Sequence, residues 1–171
     1  MYELLSNMVP SGTLGVAMRF SFFHHSPPLQ GSKSFVRLMQ IAGRQGISRS
    51  LSEITPTLLF WSALHIEGDN IPSIFENAGI SPRNLLVHFE PLISQPSQYG
   101  SIFSNDRYTA YLQYFVTDVR TIARQFGLKE LTVNIGLIVL LNTHQCIDAL
   151  QSAKVDIDQL QQYAWNTVRH Q

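Results

Sequence analysis

Ile41-Ala42-Gly43-Arg44-Gln45-Gly46 is answered by Ile122-Ala123-Arg124-Gln125-Phe126-Gly127. Beyond each comes an acidic residue, an aliphatic one and a threonine that together introduce an apolar run. These are Glu53-Ile54-Thr55 before Leu58 to Leu64, and Glu130-Leu131-Thr132 before Ile135 to Leu141. A third pair keeps the order, with Ala78-Gly79-Ile80-Ser81 and Leu85 matched by Ala153-Lys154-Val155-Asp156 and Leu160. The separations are 81, 77 and 75 residues, and they shrink only at loops. Ordered echoes of this kind are the signature of a duplicated structural unit. They constrain the fold and name no reaction.

Within the first copy, Phe35, Leu38, Met39, Ile41 and Ala42 form a stripe at helical spacing, which predicts an amphipathic helix from Ser34 to Gln45 ended by Gly46. Thr55-Pro56 supplies a capping hydroxyl and then a proline at the first helical position. The helix it opens is apolar on nearly every side, so it is expected at the centre. Asn70-Ile71-Pro72 starts a third helix ending at Ala78-Gly79, and Ser81-Pro82 opens a fourth through Leu85, Leu86 and Phe89. The second copy repeats the plan. Tyr111, Phe115, Val119, Ile122 and Phe126 keep helical spacing, Ile135 to Leu141 is again apolar all round, Cys146 to Ala153 is short, and Asp156 with Gln159 opens the last helix as a capping box would.

The expected fold is therefore all-α, two pseudo-symmetric four-helix repeats in one helical domain over 34–171. Repeat one covers 34–93, a linker rich in proline and serine 94–106, and repeat two 107–168. Residues 1–33 stand outside the repeat as an N-terminal arm. Its apolar residues between Pro10 and Pro27, Val16, Met18, Phe20, Phe22 and Phe23, suit packing on the body or on a partner. A disordered extension and an upstream start codon are the plain alternatives.

Twelve basic residues balance twelve acidic ones in 171, and 14% charged residues is well below the roughly 25% usual in soluble domains. That balance argues against a nucleic-acid partner and suggests that a partner, or a second copy of the chain, covers part of the surface. One cysteine, Cys146, excludes an internal disulfide and thiolate-rich zinc sites, and points to a reducing, cytoplasmic setting. Met1-Tyr2-Glu3 lacks the basic region typical of a secretory signal, and the stretch from Leu14 to Phe23, about ten residues and carrying Arg19, is too short to span a bilayer, which takes about 20 apolar residues.

The succession of a helix ending in Ala-x-x-x-Gly, a Thr-initiated apolar helix and an Ala-Gly-Ile or Ala-Lys-Val step before a capped final helix resembles the double repeat of the Clp amino-terminal domain. That domain heads the Clp class of AAA+ protein unfoldases, and the resemblance covers residues 34 to 165. It implies a bacterial-type interaction module that receives adaptor proteins and exposed substrate segments. Two departures qualify it. No Gly-x-x-x-x-Gly-Lys-Thr/Ser loop occurs, and a chain ending at Gln171 leaves no room for an ATPase ring, so the expectation is a stand-alone relative or an excised part. Family members read Thr-Glu-His where the apolar helix starts, and one branch uses the two glutamates to hold phosphorylated arginine. Here those positions read Thr55-Pro56-Thr57 and Thr132-Val133-Asn134, so that mode does not carry over. What the resemblance leaves is a pair of related helix entrances, with Pro56, Thr57, Val133 and Asn134 as candidate partner-binding residues.

The titratable residues offer no catalytic set. Adjacent His24-His25 diverge on any regular element; His65 with Glu67 and His88 with Glu90 lack the four-residue spacing that aims two ligands at one ion, and read as solvated helix ends. No metal or cofactor is expected. Cys146 with His144 can be imagined as a nucleophile and base, but residues two apart on a helix diverge, and a cysteine in an apolar helical stretch is ordinarily a small buried hydrophobe. The basic residues are nine Arg to three Lys, a skew toward planar, bidentate contacts. Arg37 and Arg44, with Arg49 beside them, and Arg120 and Arg124 in the second copy are candidates to meet an anionic peptide; their plain reading is the charged faces of two amphipathic helices. The reading is a non-enzymatic module for a protein or peptide partner, an accessory, adaptor or regulator in a Clp-like system. The alternatives are a docking component of a bacterial secretion apparatus and, behind it, a small cysteine-dependent enzyme.

Overall fold

The computed structural model describes residues 29–51, 53–93 and 105–169. The apolar patch of the arm, His24-His25 and the linker from 94 to 104 lie outside the described residues. After a two-residue strand β1 (Gln30–Gly31) come α1 (Lys33–Ser48), α2 (Pro56–Ala63), α3 (Ile71–Asn77) and α4 (Pro82–Ile93). The second set is α5 (Asn105–Gln125), a strand β2 (Glu130–Leu131), α6 (Val133–Leu140), α7 (His144–Ser152) and α8 (Ile157–Arg169). A long helix, a short apolar one, another short one and a medium one thus occur twice in the same order.

Local chemistry sets these limits. The Ser32 hydroxyl accepts from Phe35 N at 3.2 Å and opens α1, and the Thr55 hydroxyl accepts from Leu58 N at 3.2 Å and opens α2, with Pro56 at its first position. The odd-numbered helices all stop the same way. A residue with positive φ, Ser50, Gly79, Gly127 or Lys154, reverses the chain, and the following N–H returns to a carbonyl five residues back. Those bonds are Leu51 to Gly46, Ile80 to Phe75, Leu128 to Ala123 and Val155 to Leu150, all between 2.8 and 3.0 Å.

α2 and α6 are the axis of the molecule. Leu58, Leu59, Phe60 and Ala63 of α2 and every residue from Val133 to Leu140 are buried. Each central helix packs on the first and last helices of its own set, and the two pack on each other. Phe60 stacks on Phe89 with ring centroids 4.8 Å apart and meets Phe75 edge-on at 6.0 Å. Phe35 of α1 stacks on Phe115 of α5 at 6.1 Å across the join of the two sets. Gly136 permits that stack, because a Cβ there would stand 3.1 Å from Phe115 and 3.6 Å from Phe35. One core therefore runs through both sets.

Several sequence expectations are corrected. α1 does not stop at Gly46; it continues to Ser48, and Gly46 is buried inside it. The reversal falls at Ser50, so the true counterpart of Gly127 is Ser50, 77 residues earlier, the same separation as Thr55 and Thr132. The echo at 81 was one helical turn out of register. Pro91 lies inside α4, near its end and on its exposed side, where the carbonyl it leaves unpaired can turn to solvent. α5 begins at Asn105, within the stretch read as linker, and α7 begins at His144 rather than Cys146. β1 pairs in parallel with β2, Gln30 opposite Glu130, and Ser32 N donates to Leu131 O at 2.9 Å, which ties the entry of the first set to the second.

Candidate functional site

A cleft of about 370 Å³ opens where α2 begins, lined by Glu53, Thr55, Pro56, Tyr111, Asn142, Thr143, His144 and Gln145. Its three walls come from different parts of the chain. Thr55 and Pro56 are fixed by the α2 cap, and the Thr55 hydroxyl is also 2.9 Å from that of Thr57. Tyr111 comes from α5. The turn between α6 and α7 closes the third side because α2 packs against α7 as well as α6. Asn142 is held by donating to Ile138 O at 2.7 Å and Thr143 by donating to Leu140 O at 2.7 Å. The Tyr111 hydroxyl is buried and has no hydrogen-bond partner among the described residues. Burial, then the nearby Cys146 and Asp118, holds it well above the ordinary phenol range.

Of the four residues expected at the helix entrances, Pro56 lines this cleft. Thr57 stands beside it, half-buried and bonded to Thr55. Val133 and Asn134 do not face solvent: both are fully buried at the start of α6. β1 pairs with β2 immediately before that entrance, and Phe35 with Phe115 covers the next turn of α6, so the equivalent opening is filled by the chain itself. The Thr132 hydroxyl makes no cap, and both amide atoms of Asn134 lack partners among the described residues. Sequence reasoning singled out none of Glu53, Tyr111, Asn142, Thr143 and Gln145 as site residues, and weighed His144 only as a base for Cys146. Tyr111 read as one more member of an apolar stripe, and the turn after α6 gives no sign from spacing alone that it lies beside α2.

The arginines divide. Arg37 and Arg44 stand exposed on α1. Arg49 instead turns inward to Glu90 on α4, 2.5 Å away, with its guanidinium 5.8 Å from the centre of the Trp61 ring. Arg120 is half-buried and Arg124 exposed; burial and the positive charge of Arg124 one turn on lower the Arg120 pKa. His88 is no solvated helix end: its Nε2 is 2.8 Å from Ser152 Oγ and 3.2 Å from Ala149 O, bridging α4 to the carbonyl end of α7.

Cys146 is fully buried, and burial pushes its thiol up to about 12 despite a bond with the Thr143 side chain. At neutral pH it holds almost no thiolate, the form a nucleophile requires. His144 is exposed at the start of α7. Among the described residues no group of three or more His, Cys, Asp or Glu side chains is placed to hold a metal. No single described helix is long and apolar enough to cross a membrane; α6 and α7 pass that test only together, bent by 81°.

The same arrangement of helices is found in known structures. The Hsp104 N-terminal domain from Candida albicans superposes with a TM-score of 0.65 at 13% identity, covering 79% of this chain and 89% of that one. A structure from a malarial protein secretion system matches with a TM-score of 0.63 at 10% identity, covering 81% of this chain and 95% of the other. No protein-family model and no curated protein matches the chain by sequence. The fold is that of the Clp amino-terminal domain, all-α with eight helices among the described residues.

Proposed function

We propose that the chain is a non-catalytic protein-binding module that takes a segment of a partner protein into the cleft at the start of α2, as an accessory or adaptor of an unfoldase or secretion machine. The cleft is the observation that supports this reading most. Its volume lies at the small end of ligand sites, roughly 300–1,000 Å³, and suits one or two side chains of a peptide. Its lining mixes an apolar floor of Pro56 and the Tyr111 ring with hydroxyls, two amides, an imidazole and one carboxylate, the composition of a recognition site. The second copy's entrance is closed, so a single segment is expected per chain. A structural neighbour from a secretion system is consistent with docking to such a machine, and a cytoplasmic adaptor role is consistent with the Hsp104 domain's fold.

The test is capture by the immobilised full chain from lysate of the source organism, compared with a Gln145→Trp variant that fills the cleft from an exposed position. The reading expects a defined protein that the wild type retains and the variant loses, with equal melting temperatures. Equal capture by both would remove the cleft as the binding site.

A further inference from the structure

The exposed face of α1 carries a feature that the fold does not require. Lys33, Arg37, Gln40, Arg44 and Ile47 follow one another at steps of four, three, four and three residues, and all five are exposed. At 1.5 Å per residue they form one line about 21 Å long, with Lys33 and Arg37 about 6 Å apart and Arg44 about 10 Å further on. Val36, 41% exposed, and Ile47, 70% exposed, give it two apolar points. α1 contains no acidic residue, and no described residue forms an ion pair with Lys33, Arg37 or Arg44.

The helix gains little by this arrangement. Lys33 sits in the first turn, at the positive end of the helix dipole, and repels Arg37 one turn on. The second set shows what the fold accepts in the same place. In the register fixed by the helix stops, Arg37, Gln40, Arg44 and Ile47 correspond to Tyr114, Thr117, Thr121 and Arg124, which are equally exposed and carry one cation. The cations on α1 are thus independent of packing.

We propose that this stripe docks a carboxylate-rich segment of a partner protein, a second contact beyond the cleft, and so it rests on the reading of the chain as a protein-binding module. Charge complementarity identifies the occupant: three cations along one line, with no ion-pair partner among the described residues, are a local field on a chain of zero net charge and not a general basicity. A lipid surface fits less well. The large apolar residues of α1, Phe35 and Leu38, are buried in the core, and the stripe offers a membrane only Val36 and Ile47.

The probe is a fluorescein-labelled helical peptide of Glu, Leu and Ala, with a twin in which every Glu is Gln, titrated against the full chain by anisotropy. The wild type is expected to bind the Glu peptide, more weakly as salt rises, and to ignore the twin. Arg37→Glu with Arg44→Glu should weaken binding on the order of tenfold or more, while Arg83→Glu with Lys154→Glu, the same change of net charge elsewhere, should not. No binding of the Glu peptide, equal binding of the twin, or equal loss in the two double variants would overturn the proposal. So would sedimentation of the wild type, but not of Arg37→Glu with Arg44→Glu, with phosphatidylserine vesicles in preference to peptide. If the stripe fails while Gln145→Trp still abolishes capture from lysate, the cleft reading stands and only the second contact falls.

Discussion

Asn134 sets the terms at the scale of single residues. Its amide is fully buried where α6 begins, and neither of its polar atoms finds a partner among the described residues. A buried polar group left unpaired costs about 1–3 kcal/mol, and an apolar side chain of the same shape removes that cost. Asn134→Leu is therefore expected to stabilise the chain by about 1–3 kcal/mol, read as a higher midpoint in urea; a lower midpoint would show that the amide is satisfied in solution. Cys146 makes the opposite kind of prediction. A thiol whose pKa rises from the ordinary 9.0 to about 12 on folding contributes stability in full below pH 9 and loses it as pH climbs through 12. Stability should fall across that window by up to about 1.4 kcal/mol per pH unit, and Cys146→Ala should flatten the fall relative to wild type. Tyr111, also raised, adds to the loss above its own ordinary value of 10.0, so the flattening is partial. Of the entrance residues, Pro56 was legible because a threonine followed by proline fixes a helix start locally. The burial of Val133 and Asn134 was not, because it depends on which side the sister helices and β1 cover, and spacing within one helix carries no such information.

At the scale of elements, the two sets close the same join by different chemistry. In the first, Arg49 at the end of α1 reaches Glu90 on α4. In the corresponding place of the second, Phe126 at the end of α5 meets Trp165 on α8, ring centroids 5.3 Å apart. The side chains of Arg49 and Glu90 are 23% and 47% exposed, so solvent screens the ionic clasp and its coupling energy should be about 0.2–1 kcal/mol, shrinking with added salt. The aromatic clasp should be worth about 0.5–1.5 kcal/mol beyond its burial and be insensitive to salt. Double-mutant cycles to alanine at each pair, at low and high NaCl, check this; equal salt dependence would contradict it. The helix plan itself was legible, since each of the eight helices among the described residues overlaps a segment whose apolar spacing or caps announce it. Their stops were less so. Gly46 looks like a helix end in sequence, yet it is buried where α1 packs, and Ser50 takes the left-handed position instead. That is why the repeat was read one turn out of register in its first helix while α2 and α6 aligned correctly.

At the scale of the whole molecule, a near-symmetric core presents two faces that differ. The start of α2 is open and the start of α6 is closed by β1 and the stacked Phe35 and Phe115; the outer face of α1 is cationic and that of α5 is mixed. A duplicated scaffold that buries one entrance and leaves the other free can hold one partner in one orientation. The duplication was visible in sequence because it rests on local echoes. The asymmetry was hidden, since it arises from contacts between α2, α7 and α5 that lie far apart along the chain. The most direct measurement is photo-crosslinking in the source organism, with a photoreactive residue placed in turn at Gln145 in the cleft wall, Ser73 on α3 and Gln162 on α8, all three exposed. The account predicts one discrete crosslinked protein from Gln145 and none from Ser73 or Gln162. A crosslink from Ser73 or Gln162 with none from Gln145 would contradict it.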